Sequence, residues 1–233
     1  MLPARSLQSG RNRGRAHPAQ ASVPNRARAI YRVVNIERPV VNTMPASDAN
    51  ALPVAATTAA IALLYAALAV LAFAQGEMAS ETIAASIILG GGLALASAID
   101  LRTFRLPDAI TLTLAVTGLV LTGLLHWEPS LWWRALAAIG GYGFIRAIDL
   151  AYLSLRGRMG IGQGDAKLFA ATGAWLGPEG LPTVMLYACA TALLFVAARH
   201  LTGTPMTAKQ RIAFGPFIAG GTWLVWLWGP ITT

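Results

Sequence analysis

Charged residues are scarce in this chain. They make up 12% of its 233 residues, against roughly 25% in ordinary soluble domains, whereas 55% of the residues are hydrophobic. So little charge argues against an ordinary soluble enzyme or binding module and indicates a chain that resides in the lipid bilayer.

Cysteine and histidine are scarce as well. Cys189 is the single cysteine, so the chain forms neither a disulfide framework nor a cysteine metal site, and its position in an apolar run predicts a small buried hydrophobe. The three histidines, His17, His126 and His200, show no spacing typical of metal ligands, and none stands with a serine or cysteine in a pattern of nucleophilic catalysis. We therefore expect no structural metal and no cofactor.

Residues 1–50 form a basic segment. They contain eight arginines and two acids, which gives the segment a net charge of +6 out of +8 for the whole chain. Proline, serine, asparagine and glycine occur throughout, so we predict a disordered cytoplasmic tail that contacts anionic lipid and not nucleic acid. The alternatives are a targeting segment and an untranslated stretch, residues 1–43, before a start codon at Met44.

Apolar stretches separated by short polar turns fill residues 53–232. The first, 53–74, contains no charge and at ~1.5 Å per residue is long enough to cross a hydrocarbon layer of ~30 Å. The pattern predicts an all-α polytopic membrane domain with about seven transmembrane helices, of which the fifth, ending at Gly177, is short. In the second, Gly90–Gly92 would let a neighbouring helix pack closely. The remaining predicted spans are 82–99, 109–125, 132–155, 181–198 and 214–229.

The distribution of charge predicts the orientation of these spans. With seven crossings, the basic residues fall on one side of the membrane, and four acids with Arg134 as the one base fall on the other. Because basic residues collect in cytoplasmic loops, we predict a cytoplasmic N-terminus and a C-terminus outside. Asp100 and Asp165 then lie at the cytoplasmic ends of spans two and five, where they can meet. The cytoplasmic bases outside the tail are Arg102, Arg105, Arg156, Arg158, Arg199, Lys209 and Arg211, and the opposing acids are Glu77, Glu81, Glu128 and Glu179.

Asp165 follows a glycine-rich turn at the start of the fifth span. The stretch GIGQGDAKLFAATGAWLG, residues 160–177, places Gly162 and Gly164 just before this carboxylate. Such an aspartate either caps the helix N-terminus, which favours negative charge, or is a functional group kept at the membrane boundary despite its cost. Glycines allow a close backbone approach, which would let Asp165 meet Asp100 and leave room for an extended substrate backbone.

Two carboxylates at one desolvated site suit the activation of water. Because they do not both ionise easily, one can accept a proton while its partner donates one. The ionised group would take a proton from water, and the protonated group would polarise a peptide carbonyl. Asp100 and Asp165 are the predicted pair, with Asp108, eight residues after Asp100, as another option for one member. The alternative is that each aspartate caps its own helix in a transporter or scaffold.

Four further charged residues lie within or next to the spans. Asp108 follows Pro107 at a helix start, where we expect a structural or substrate-contacting role. Lys167 is expected to extend towards lipid headgroups and not to join the reaction. Arg146 and Asp149 lie three residues apart on one helical face and are expected to form a buried neutralising pair, with a functional Asp149 as the alternative.

Three separated stretches carry a family resemblance. GIGQGDAKLFAATGAWLG is similar to a GxGD-x-K-L helix, AIDLRTFRLPDAIT to a first-aspartate stretch, and IAFGPFIAGG to a closing helix, in that family's order and over about residues 55–230. Together they resemble the type IV prepilin peptidases, membrane aspartic proteases of the GxGD class. The resemblance implies that Asp100 and Asp165 are the catalytic aspartates and that Gly162 and Gly164 are the signature glycines.

The same resemblance implies an activity and a location. Family members cleave the leader of prepilins or pseudopilins, after a glycine and before the hydrophobic N-terminal helix of the mature protein, at the cytoplasmic face of the bacterial inner membrane. The sequence gives no indication of the oligomeric state. The alternatives from other classes are a small transporter or proton relay that uses the intramembrane acids, and an inactive scaffold of a pilus or type II secretion machine.

One departure from the family pattern concerns methylation. Many members carry an insert with paired CxxC motifs and also methylate the new N-terminus with S-adenosylmethionine. Here only QGEMASE, residues 75–81, lies between the first two predicted spans. We therefore expect peptidase activity without N-methylation.

Overall fold

The computed structural model describes residues 54–76, 82–126, 130–157, 162–203 and 212–231. The basic segment 1–50 lies outside these ranges, so what was predicted for it stays a prediction. Within the described ranges the regular elements are all α-helices, as predicted. They are α1 (Val54–Ala74), α2 (Ile83–Thr103), α3 (Asp108–Leu125), α4 (Leu131–Arg156), α5 (Gln163–Leu176), α6 (Gly180–Leu201) and α7 (Gly215–Trp228).

Helix length separates two groups. Five helices, α1, α2, α3, α4 and α6, are long and apolar enough to cross a membrane. The other two, α5 and α7, have 14 residues each, which at ~1.5 Å per residue is ~21 Å and less than a hydrocarbon layer of ~30 Å. The predicted short fifth helix is thus confirmed, and α7 is equally short. Helix α2 continues through Asp100 to Thr103, so Asp100 lies inside its last turn and not at its end.

The two short helices lie in the interior of the bundle. Each buries eight of its 14 residues, whereas α1 buries two of 21. They run parallel, because Thr172 of α5 contacts Thr222 of α7 (Oγ1 to Oγ1, 2.8 Å) and, one turn further on, the ring of Trp175 meets that of Trp226 edge to face with centroids 5.5 Å apart. Both therefore begin at the same end of the bundle.

Tryptophans anchor the short helices to the long ones. Trp175 donates from Nε1 to the Leu114 carbonyl of α3 (2.8 Å), and its ring lies so close to Gly118 that a Cβ there would be 2.7 Å from Cδ1. Trp223 of α7 donates to the Tyr65 carbonyl of α1 (3.2 Å) and stacks on the Tyr65 ring, with centroids 5.3 Å apart. These contacts fix the depth of α5 and α7 in the bundle.

The glycines of α2 give close packing, as predicted. A Cβ on Gly90 would lie 3.0 Å from the ring of Trp223, and a Cβ on Gly92 would lie 2.5 Å from Cδ2 of Leu114. Gly91 points away from both, since a Cβ there would meet nothing within 4 Å. Gly90 therefore allows close packing against α7, and Gly92 allows close packing against α3.

The predicted ion pair within α4 is confirmed. Nη1 of Arg146 lies 2.8 Å from Oδ2 of Asp149, one turn of helix away. Asp149 is only 1% exposed, so its charge is neutralised where water does not reach it.

Two predictions for single residues are wrong. Cys189 is exposed on α6 and not buried, because an apolar membrane helix has an outward face as hydrophobic as its inward face. Arg134 is not a loop base: it lies in the first turn of α4, is 5% exposed and donates a hydrogen bond from Nη1 to the Trp175 carbonyl. It satisfies one of the carbonyls that the end of α5 leaves without an intrahelical partner.

Candidate active site

Asp100 is held from two sides in the last turn of α2. The helix ends at Thr103, and its C-cap Phe104, whose φ of 51° is left-handed, donates from its amide to the Asp100 carbonyl (2.9 Å). The Asp100 side chain accepts a hydrogen bond on Oδ2 from the amide of Gly215, the first residue of α7 (3.0 Å). The residue is 4% exposed. A carboxylate at this place stabilises the N-terminus of α7.

Asp165 lies in the first turn of α5, after Gly162 as the N-cap. Its carboxylate turns back towards the helix start, since a Cβ built on Gly162 would be 3.3 Å from Oδ2 of Asp165. The side chain is partly buried. Asp165 is therefore placed to stabilise the start of its own helix, as the capping alternative expects, although it is not itself the N-cap.

Leu106 lies between the start of α5, which carries Asp165, and the start of α7, which contacts Asp100. The turn at Phe104 brings this side chain, 7% exposed, between the starts of α5 and α7. A Cβ on Gly164 would lie 2.8 Å from Cβ of Leu106, and a Cβ on Gly215 would lie 3.2 Å from its Cδ1. Both helices therefore approach Leu106 at glycines, where no side chain intervenes.

This packing brings Asp100 and Asp165 together. They are 65 positions apart in the sequence, yet Leu106 packs against Gly164, the neighbour of Asp165, and against Gly215, whose amide donates to Asp100. The two acids come from α2 and α5, and the starts of two parallel helices face them. The two acids of the predicted pair thus lie at the same end of the bundle. Two carboxylates so arranged can share the acid and base roles in the hydrolysis of a bond by water.

Asp108 and Lys167 form an ion pair beside this site. Asp108 is the first residue of α3, as predicted, and its Oδ1 lies 2.5 Å from Nζ of Lys167 on α5. The Asp108 side chain is 74% exposed and that of Lys167 32%. Lys167 therefore has a protein partner, which was not foreseen from the sequence, and the pair connects the starts of α3 and α5.

Gly215 and Leu106 are the site residues that the sequence analysis missed. Leu106 lies in AIDLRTFRLPDAIT, two residues before Asp108, and Gly215 lies in IAFGPFIAGG, directly before Pro216. Neither residue carries a functional group. A signal for Gly215 was present, since a glycine followed by a proline indicates a helix start where the chain must come close to a neighbour.

Comparison with known proteins points to one family. Residues 87–197, which include Asp100 and Asp165, match the model of the type IV leader peptidase family. A prepilin leader peptidase/N-methyltransferase of Burkholderia pseudomallei is 40% identical over 172 residues, which is 72% of this chain and 54% of the relative. Proteins of the same name from Aeromonas salmonicida and Dickeya chrysanthemi are 36% identical over 149 residues and 39% identical over 123 residues. These two matches cover 64% and 53% of this chain, and 50% and 43% of those relatives.

The chain spans about half the length of the curated relatives it matches. No solved structure matches it significantly. Its five helices of membrane-spanning length and apolar composition agree with the relatives in indicating a multi-pass membrane protein. The family predicted from three short motifs is confirmed by matches over a far longer stretch: this chain belongs to the type IV leader peptidase family.

Proposed function

We propose that this chain is a membrane aspartic endopeptidase that removes the leader peptide of prepilins or pseudopilins, with Asp100 and Asp165 as its catalytic residues. The observation that carries the proposal is the position of these two acids at one end of the bundle. Leu106 packs against Gly164, the neighbour of Asp165, and against Gly215, whose amide donates to Asp100. The family match and the names of the relatives support the reaction and the substrate class.

The two carboxylates divide the work of hydrolysis. The ionised one takes a proton from a water molecule, whose oxygen then attacks the carbonyl carbon of the scissile peptide bond. The protonated one donates to the carbonyl oxygen and stabilises the tetrahedral intermediate. As the intermediate collapses, the C–N bond breaks and the leaving amine takes up a proton from the acid formed in the first step. No covalent bond to the enzyme is needed.

Asp108, Lys167 and the glycines support this site in the proposal. Gly164 lets the start of α5 come close to Leu106, with which a Cβ would collide, and Gly162 leaves room for the carboxylate of Asp165, whose Oδ2 would lie 3.3 Å from a Cβ there. The Asp108–Lys167 pair joins α3 to α5 next to Asp165. The carboxylate of Asp108, whose side chain is 74% exposed, is also placed to contact an arriving peptide.

The substrate would reach the site through the bilayer. Prepilins present a leader followed by a hydrophobic helix, so the scissile bond lies at a membrane boundary, and the aspartates lie at one end of helices of membrane-spanning length. The outer faces of these helices are apolar and in contact with lipid, with side chains such as Leu112 and Val116 of α3 more than half exposed.

We place the site at the cytoplasmic face of the bacterial inner membrane, with the N-terminus in the cytoplasm. Arg102 and Arg105 follow Asp100 in the sequence, and basic residues collect on the cytoplasmic side. Arg134, which was predicted to be a base of the opposite loops, is buried in the bundle and does not count against this orientation. In a C189S background, a cysteine at exposed Arg105 should react with an impermeant maleimide only from the cytoplasmic side. A cysteine at exposed Ser130 should react only from the other side, and the reverse pattern would overturn this orientation.

Prepilin processing in membranes tests the catalytic assignment. Asp100→Asn and Asp165→Asn should each abolish leader removal from a co-expressed prepilin while the protein stays inserted. Glu179→Gln is a matched control, since it makes the same kind of change at an exposed acid beyond the far end of α5, and it should process normally. Continued processing by either asparagine variant would exclude the proposed mechanism and favour a transporter or an inactive scaffold.

We further propose that cleavage occurs without N-methylation. The relatives are named as bifunctional, but the segment between α1 and α2 has no cysteine, and Cys189 is the single cysteine of the chain. Mass spectrometry of a pilin matured by this enzyme should show an unmodified N-terminus. A mass increase of one methyl group that depends on this protein would refute the expectation.

A further inference from the structure

The start of α7 contacts Asp100, one of the two candidate catalytic residues, through a backbone amide. Phe214 is the N-cap, Gly215 is the first helical residue and Pro216 follows. The amide of Gly215, buried with its residue, donates to Oδ2 of Asp100 at 3.0 Å across 115 positions of sequence. The first amides of a helix lack intrahelical acceptors, so this N–H is free to hold a carboxylate.

Position 215 has no room for a side chain. A Cβ there would lie 2.7 Å from Oδ2 and 3.1 Å from Cγ of Asp100. Gly220, five residues further along the same helix, is different, because a Cβ there would meet nothing within 4 Å. The close approach of α7 to the Asp100 carboxylate therefore requires a glycine at position 215, whereas position 220 has room for a side chain.

The rest of α7 holds this amide in place. Thr222 contacts Thr172 of α5, and Trp223 donates to and stacks on Tyr65 of α1. The helix carries no acidic, basic or histidine side chain, and the polar group that it presents to Asp100 is the Gly215 amide. The Gly215 amide is therefore a fixed donor next to a side chain that could otherwise rotate.

We propose that Gly215 is a positioning residue of the peptidase, whose amide fixes Oδ2 of Asp100 and leaves Oδ1 to face Asp165 and the attacking water. The proposal rests on the proposed function. An amide that holds one oxygen removes the rotational freedom of the carboxylate, and displacement of a reacting group by ~1 Å can lower the rate by ~10²-fold.

Steady-state kinetics on Gly215→Ala and Gly220→Ala test the role in the reaction. The protein is purified in detergent and assayed on a prepilin. Gly215→Ala should lower kcat by ~10²-fold with KM within about twofold, because the carboxylate moves while the substrate contacts stay. Gly220→Ala should behave as wild type. Wild-type kcat in Gly215→Ala, or an equal loss in both variants, would overturn the proposal.

A thermal double-mutant cycle tests the contact without any activity. Gly215→Ala should lower Tm by about 3 °C or more in the wild-type background. In an Asp100→Ala background the loss should be much smaller, because the oxygen 2.7 Å from the new Cβ is gone and the remaining neighbour, Cδ1 of Leu106, ends a flexible side chain. An equal loss in both backgrounds would refute the contact. If Gly215→Ala alone is too unstable to purify, recovery of the double variant supports it and failure of both overturns it.

The two proposals fail in different ways. Processing by Asp100→Asn would refute the peptidase assignment, while the Tm cycle would still report whether residue 215 contacts the carboxylate. An inactive Asp100→Asn together with a fully active Gly215→Ala would leave the peptidase assignment standing and remove the positioning role alone.

Discussion

The hydroxyls of Thr172 and Thr222 form a 2.8 Å hydrogen bond between the two interior helices. Each hydroxyl also has a backbone acceptor one turn earlier in its own helix, the Leu168 carbonyl for Thr172 (3.1 Å) and the Ile218 carbonyl for Thr222 (2.8 Å). The bond lies two turns beyond Asp165 on α5 and thus couples the helix of one catalytic candidate to the helix that contacts the other.

Replacement of either threonine by valine should loosen this connection. We expect Thr172→Val and Thr222→Val each to lower the free energy of unfolding by roughly 0.5–1 kcal/mol, because one buried hydrogen bond is lost while the volume is conserved. The double variant should lose less than the sum of the two. Thermal unfolding in detergent measures all three, and strictly additive losses would show that the hydroxyls do not interact.

Gly164 should tolerate no side chain. A Cβ there would be 2.8 Å from Cβ of Leu106, an atom that cannot rotate away, so Gly164→Ala should be destabilising by roughly 1–3 kcal/mol and should displace Asp165. Gly91→Ala on α2 is the control, since its Cβ meets nothing within 4 Å, and it should be neutral or slightly stabilising. Tm and prepilin processing of both variants test this; equal behaviour of the two would contradict the role of Leu106.

Arg134 should stabilise the end of α5. It is 5% exposed and donates to the Trp175 carbonyl, so Arg134→Met would leave that buried acceptor without this donor. We expect a loss of roughly 1–3 kcal/mol in unfolding free energy. Arg134→Lys keeps a cation and a donor and should lose less. A methionine variant as stable as wild type would show that the carbonyl finds another partner.

The Asp108–Lys167 pair should matter less for stability, because the Asp108 side chain is 74% exposed and water screens the attraction. Exposed pairs contribute roughly 0.2–1 kcal/mol, and we expect Asp108→Asn to fall in this range, with a smaller effect at high salt. Kinetics then separate the two roles predicted for Asp108. A raised KM with unchanged kcat indicates substrate contact, whereas unchanged kinetics indicate a structural role.

The existence of the helices and the meeting of the aspartates could be predicted from the sequence. Long uncharged stretches allow few structures other than membrane helices, and counting crossings from the charges places Asp100 and Asp165 at the same end. The length of α5 followed in the same way from the distance between the glycine turn and Gly177. These features depend on composition along the chain and not on the partners of each residue.

The partners of single residues could not be predicted in this way. Cys189 was misplaced because lipid and protein interior are equally apolar, so hydrophobicity does not tell the inner face of a membrane helix from the outer one. Arg134 was misplaced because a count of charges does not show that the Trp175 carbonyl accepts a hydrogen bond from a buried guanidinium. Gly215 was missed for another reason. Its contribution is a backbone amide and an absent Cβ, and neither appears in a search for functional side chains.

The interior position of α5 and α7 also bears on the permeability of the membrane. α7 carries no acidic, basic or histidine side chain, and α5 carries none after Lys167. Beyond the threonine pair, the rings of Trp175 and Trp226 fill the space between the two helices. A proton bound at the aspartate end therefore meets no ionisable partner along these helices. In the proposed peptidase, α5 and α7 thus supply no chain of ionisable side chains along which a proton could leave the aspartates.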